Sequence, residues 1–147
     1  MKLITRNVDY AIRALWVIAK CNNNLISVSE LVEKTGIPRQ FLRRILQVMA
    51  RHGIVGSFKG QGGGFSLAAV PDRIYLVDLM EIFQGSVKIN ECTFKRKTCP
   101  NITRCAFRKK LESIQDHVIR ELQDITLSCL LKKGKTRHGK KKNHKNR

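Results

Sequence analysis

Residues 39–51, Arg-Gln-Phe-Leu-Arg-Arg-Ile-Leu-Gln-Val-Met-Ala-Arg, divide by helical geometry into two faces. At about 100° per residue, Leu42, Ile45, Leu46 and Met49 fall on one side, while Gln40, Arg43, Arg44, Gln47 and Arg51 fall on the other. The apolar side demands burial. The polar side holds only cations and amides, with no acid to neutralise them, whereas solvated helix faces normally mix signs. Such a face suits phosphate oxygens and base edges, since arginine pairs with guanine and glutamine with adenine. A plain solvated face is the alternative.

The preceding residues determine how this helix is presented. Ser27-Val-Ser-Glu30 has the spacing of a capping box. Leu31 and Val32 anchor a short helix, Gly36 suits a left-handed position after it, and Pro38 suits the first turn of the next helix. Short helix, tight turn and longer helix together predict a helix-turn-helix. Upstream, Val8, Ala11, Ile12, Leu15, Ile18 and Ala19 repeat at helical spacing. They predict a core helix capped by Thr5 or Asn7 and ended by Asn22–Asn24. Downstream, Ile54–Phe58 and Phe65–Ala68 read as paired strands around the tip Lys59-Gly-Gln-Gly-Gly-Gly64, which makes a wing. Glycines let backbone approach DNA closely, and Lys59 can reach phosphate or the minor groove. A nucleotide-binding loop is disfavoured, because no helix follows the glycines and no Gly-Lys-Ser/Thr is present.

Pro71-Asp72 breaks the chain, and Ile74–Phe83 predicts a strand residue or two, then a short helix ending at Gly85. From about Cys105 to Leu131 the pattern predicts one long helix, with Leu111, Ile114, Val118, Leu122, Ile125 and Cys129 on a single seam. So long a helix exceeds what a small domain can cover, so its seam is expected to pack on a second copy. A two-fold dimer sets two recognition helices about one DNA turn apart, roughly 34 Å, and favours a near-palindromic operator.

The fold class is therefore mostly α with a small β wing: a winged helix-turn-helix plus a long C-terminal dimerisation helix. Residues 1–85 form the DNA-binding domain, 86–131 a cysteine loop and dimerisation helix, and 132–147 a disordered basic tail. The formal net charge is +18 and the tail supplies nine cations without an acid, so residues 1–131 still carry +9. That surplus points to a polyanion, most simply nucleic acid, with an anionic membrane surface as the rival. The tail would strengthen non-specific DNA binding or act as a solubilising terminus. Its His138 and His144 lack ligand spacing. No apolar run spans a membrane, and the opening residues lack the apolar core of a signal peptide, so a cytoplasmic location is expected.

Cys92, Cys99 and Cys105 are separated by six and five residues, with Lys95, Arg96, Lys97, Arg104 and Arg108 around them. Structural zinc usually pairs cysteines two to four residues apart, which these are not. Three readings follow: an iron–sulfur cluster with one further ligand, metal-free redox thiols, or cysteines of no function. Cys21 and Cys129 fall in helical patterns and read as small buried apolar residues.

Met1-Lys-Leu-Ile-Thr, Asp9-Tyr-Ala-Ile-Arg-Ala-Leu15, Ile54-Val…Gly62-Gly-Gly-Phe65 and the three cysteines jointly resemble the bacterial iron–sulfur winged-helix regulators of the IscR, NsrR and RirA type. The resemblance covers about residues 1–131. It implies a cluster on Cys92, Cys99 and Cys105, a dimer crossed through the C-terminal helix, and DNA contacts from Gln40, Arg43, Arg44 and Lys59. IscR-like members carry a histidine three residues after the third cysteine, where this chain has Arg108. Asp9 resembles the carboxylate that completes a 4Fe–4S cluster across the dimer in the NsrR-like branch. A 4Fe–4S cluster is accordingly favoured over 2Fe–2S. The expected activity is that of a DNA-binding transcription regulator, a repressor sensing iron, nitric oxide or redox state. A cluster-free regulator switched by cysteine oxidation or a partner protein is the first alternative. A basic RNA- or membrane-surface-binding protein is the second. No paired carboxylates, His-based triad or phosphate loop point to an enzyme.

Overall fold

The computed structural model describes residues 3–22, 24–88 and 104–132. The cysteine loop at 89–103, with Cys92 and Cys99, and the tail from 133, with His138 and His144, lie outside the described residues.

Helix α1 (Arg6–Lys20) buries Val8, Ala11, Ala14, Leu15, Val17 and Ile18. Thr5 holds its N-cap position but makes no side-chain cap. Its hydroxyl is buried and without a partner among the described residues. The start of α1 is instead fixed from outside: Thr5 N donates to Gln84 Oε1 at 2.9 Å, and Gln84 Nε2 donates to the Leu3 carbonyl at 3.0 Å.

Helix α2 (Val28–Thr35) begins with the expected capping box. Glu30 N donates to Ser27 Oγ at 3.2 Å, and Ser27 N donates to Glu30 Oε2 at 2.9 Å. The Ser27 backbone and hydroxyl bonds hold the Glu30 carboxyl below its ordinary pKa. Gly36 ends the helix at φ 68°, in the left-handed region where glycine is unstrained. Helix α3 (Arg39–Arg51) has the expected bounds. Pro38 has an extended ψ of 136° and serves as N-cap rather than first-turn residue.

Leu42, Ile45, Leu46 and Met49 of α3 are 0–2% exposed, and with Leu15, Ile18 and Leu31 they form the centre of the main core. Each such side chain contributes about 1.5–3 kcal/mol of burial free energy.

The wing consists of β1 (Val55–Phe58) and β2 (Gly64–Leu67), antiparallel in the register Val55↔Leu67 to Phe58↔Gly64. The far edge of β2 is also paired, because Ile26 N donates to the Phe65 carbonyl at 3.0 Å and Phe65 N to the Ile26 carbonyl at 2.9 Å. Ile26, two residues ahead of α2, thus adds an isolated bridge to the two-stranded wing that the sequence pattern did not reveal. This pairing dictates glycine at 64, where an added Cβ would stand 2.5 Å from the Ile26 carbonyl oxygen. At 63 it would stand 2.3 Å from the Phe58 carbonyl oxygen.

After a 3₁₀ turn at Pro71–Arg73, α4 (Leu76–Gln84) ends at Gly85 as expected. The C-terminal segment differs from expectation. It is divided into α5 (Ala106–Gln123) and α6 (Leu127–Leu131). Leu76 N donates to the Ile125 carbonyl at 2.9 Å and Leu127 N to the Ile74 carbonyl at 2.8 Å, which makes a bridge between Tyr75 and Thr126. Backbone groups committed to this bridge cannot continue the helical ladder, so the helix stops at Gln123 and restarts after Thr126. The single seam divides with it. Leu122, Val118 and Ile125 pack with Val8, Leu76 and Met80 in a second core, whereas Leu127 and Leu131 join the main one. Cys129 consequently faces solvent, correcting its expected burial. Cys21 does pack on the main core.

Gly64→Ala should lower the melting temperature more than Gly56→Ala. At 64 the obstacle is the Ile26 backbone, and at 56 it is the movable Phe58 ring, 3.1 Å away. Overpacking of this kind costs about 1–3 kcal/mol. Equal melting temperatures for the two variants would contradict the assigned three-way pairing.

Candidate nucleic-acid interface

The α3 faces are set by burial. With Leu42, Ile45, Leu46 and Met49 turned inward, Gln40, Arg43, Arg44, Gln47 and Arg51 are all exposed. Among the described residues no carboxylate forms a salt bridge with Arg43, Arg44 or Arg51. The cationic face is therefore available to an external anion.

The wing extends this face. Gln47 and Arg51 share an open groove of about 340 Å³ with Ser57 of β1 and Phe65 of β2. A polyanion following that groove would meet the cationic face of α3 and the root of the wing together. Lys59 is exposed just beyond β1, at a tip where Gly60 and Gly62 adopt φ of 97° and 75°. Arg44 lies apart, beside Asn7 of α1 and Phe83 of α4. Two further residues join the surface. Arg39 Nη1 donates to Ser29 Oγ at 3.3 Å, tying the first turn of α3 to α2. Phe58 is 53% exposed next to Lys59. Phe58 pairs with Gly64 in the wing register, and the sequence pattern gives no signal of its exposure.

Of the proposed cluster ligands, Cys105 is described. It is the N-cap of α5, and its Sγ accepts a hydrogen bond from Arg108 N at 3.4 Å. It is half-buried and free. Hydrogen bonds to sulfur are one means by which a protein tunes an iron–sulfur centre, so this thiol fits a ligand role. Asp9 lies in the first turn of α1, where its Oδ2 meets Arg13 Nε at 3.0 Å with both groups about half exposed. Among the described residues no three His, Cys, Asp or Glu side chains converge on a common point.

Cys129 lies in the first turn of α6. Thr126 Oγ1 donates to its Sγ at 3.3 Å and accepts from its backbone N at 3.3 Å. The Thr126 hydroxyl bond, then the Thr126 backbone, hold this exposed thiol below its ordinary pKa; Lys132 adds to the effect, and Asp72 opposes it.

Residues 4–133 match the Rrf2 family, described as iron-dependent transcriptional regulators. An Aquifex aeolicus protein, named within the class of HTH-type transcriptional regulators, is 30% identical over 131 residues, covering 88% of this chain and 91% of its own. The HTH-type transcriptional regulator IscR of Vibrio atlanticus is 27% identical over 133 residues, covering 90% of this chain and 76% of its own. Among solved structures, CymR, the global cysteine regulator of B. subtilis, superposes with a TM-score of 0.74 at 22% identity, covering 89% of this chain and 97% of its own. IscR of T. potens superposes at 0.70 and 22% identity, covering 90% and 87%. Both share the fold.

The thiolate is the nucleophile in alkylation. Because the Thr126 hydroxyl stabilises the thiolate, Thr126→Val should move the pH of half-maximal Cys129 alkylation by iodoacetamide upward, read by peptide mass mapping. A midpoint that does not move would remove Thr126 as the cause.

Proposed function

The chain belongs to the Rrf2 family of transcriptional regulators, and on that premise we propose that it is a homodimeric, cytoplasmic repressor whose operator affinity depends on an iron–sulfur cluster. The observation that carries the DNA-reading part is the unpaired cationic face of α3 running into the wing groove through Gln47 and Arg51. Gln40, Arg43, Arg44, Gln47 and Arg51 take base edges and phosphates in the major groove, and Lys59 takes phosphate or the minor groove. The near-palindromic operator follows from a two-fold dimer. Exposed Phe107 and Ile114 on α5, 70% and 44% accessible, support packing of that helix on a second copy. The cytoplasmic reading accords with the described helices, none of which is long and apolar enough to cross a membrane.

Cys92, Cys99 and Cys105 would hold the cluster, with Asp9 of a second copy completing a 4Fe–4S form. Arg108 stands where a 2Fe–2S arrangement of the IscR type has histidine. Such a group supplies sensitivity to iron, nitric oxide or redox state. Support comes from the position of Cys105 as N-cap of α5, whose other end is bound to the body through the Tyr75–Thr126 bridge. A displacement of the Cys105 end is thereby carried along a stiff helix to α4 and α1. A second reading, a cluster-free thiol switch, is favoured by one observation: Cys129 is exposed and its thiolate is stabilised by Thr126.

Arg43→Ala should cost about 1–3 kcal/mol on the operator and relax preference at one base pair, whereas Lys59→Ala should weaken binding to every duplex and reduce the salt slope by about 1. Fluorescence anisotropy across operator variants and salt concentrations measures both. A loss from Arg43→Ala that is uniform over all DNA and RNA sequences would overturn specific readout and leave a general basic binder.

A further inference from the structure

Arg44 borders a hollow of about 190 Å³ walled by Phe41 and Val48 of α3 and by Ile82 and Phe83 of the last turn of α4, with Asn7 from the first turn of α1 at its edge. Its side-chain walls are aliphatic and aromatic, and polar atoms make up as much of its accessible lining as apolar ones. One guanidinium and one amide are the polar groups on it, and no acid lines it. Neither Arg44 nor Asn7 has a side-chain hydrogen bond or ion pair among the described residues. Small-molecule sites are usually concave and mostly apolar with a few polar groups; this hollow is more polar than that and smaller than the roughly 300–1,000 Å³ of drug-sized pockets, which suits a small polar-headed ligand.

We propose that this hollow binds a small anion with an apolar body, an aryl or short-chain aliphatic carboxylate, and that occupancy draws Arg44 away from the DNA-facing surface. The chemistry follows from the lining. A guanidinium presents parallel N–H donors that match the two oxygens of a carboxylate. The Asn7 amide offers a further donor, and the Phe41, Ile82 and Phe83 walls take the hydrocarbon body. A DNA phosphate fits less well, because these walls would desolvate its remaining oxygens without supplying donors. A neutral apolar molecule would leave Arg44 unused.

The site adjoins three elements at once: the recognition helix, the first turn of α1 and the end of α4, where Gln84 ties α4 back to Leu3 and Thr5. An anion held there competes with DNA for one cation of the reading face. By linkage, DNA and ligand must weaken each other's binding by the same factor. The regulatory half of this inference rests on the operator reading above; the binding half does not.

The test is a two-dimensional NMR titration of the full chain, without DNA, using phenylacetate and its uncharged analogue phenylacetamide. Phenylacetate should give saturable shifts confined to Asn7, Phe41, Arg44, Ile82 and Phe83, and phenylacetamide should bind about tenfold more weakly or worse. Arg44→Gln should abolish the difference between the two probes, and Val48→Phe, which fills the hollow, should abolish both. Absent, non-saturating or scattered shifts would overturn the site, as would equal binding of acid and amide. Operator affinity measured with and without phenylacetate then tests the regulatory half. Unchanged affinity at saturating ligand would overturn that half, while failure of the chain to bind any operator would instead overturn the DNA reading and leave the NMR result standing.

Discussion

Burial of one side of α3 is the constraint on which the rest depends. Leu42, Ile45, Leu46 and Met49 occupy a core shared with α1 and α2, and their removal from water fixes the rotation of the helix about its own axis. With that rotation fixed, Gln40, Arg43, Arg44, Gln47 and Arg51 have only the outside left to them. A helix turned by 100° would expose a leucine and bury an arginine without a partner, which is among the most costly errors a small core can contain. The capping box at Ser27 and Glu30 and the left-handed Gly36 fix where the preceding helix begins and ends, so that α3 enters this core at one angle. The wing is positioned from the same region, because Ile26, one residue before the Ser27 cap, is the partner of Phe65.

A second constraint governs the C-terminal third. Two backbone hydrogen bonds between Ile74–Leu76 and Ile125–Leu127 anchor the chain to the body between the 3₁₀ turn and α4. They leave α5 held at its C-terminal end by Leu122 and Ile125, while its other end carries Cys105 and exposed apolar side chains. Gln84 makes a comparable tie between α4 and the entry to α1, the helix that bears Asp9. Of the proposed sensor ligands, Cys105 therefore sits at one end of a helix whose other end is built into the body, and Asp9 sits in the first turn of α1, the end that Gln84 ties to α4. Such an arrangement can convey a change at the cysteines without any rearrangement of the core.

Much of this was legible in the sequence because it rests on local rules. The segregation of residues in α3, the Ser27–Glu30 spacing and the glycine-rich tip each reflect one helix, one cap or one turn. What escaped was set by contacts distant along the chain. Asp124-Ile125-Thr126 contains neither glycine nor proline, so nothing in the pattern announces a helix break that the pairing of Thr126 with Tyr75 imposes. The one local hint is Thr126 itself, a side chain suited to capping. The exposure of Cys129 follows from that break, since restarting the helix turns Leu127 and Leu131 inward instead. The glycine-rich pattern suggests approach to DNA, but at 63 and 64 the tighter requirement is internal: neighbouring backbone leaves no room for a Cβ.

Control of the α3 face by Cys92, Cys99 and Cys105 is tested most directly by operator affinity under anaerobic conditions. The iron-loaded chain, the same chain after chelation, and a Cys92→Ser/Cys99→Ser/Cys105→Ser variant would be compared, with iron and sulfide counted on each. A cysteine-held sensor predicts about four irons per chain in the loaded form, as a 4Fe–4S cluster requires, and a 5–150-fold change in affinity on chelation, typical of allosteric coupling. The triple variant should show no such response. Identical affinities in all three, or a chain that takes up no iron yet still responds to oxidation, would contradict it and move the switch to thiol chemistry.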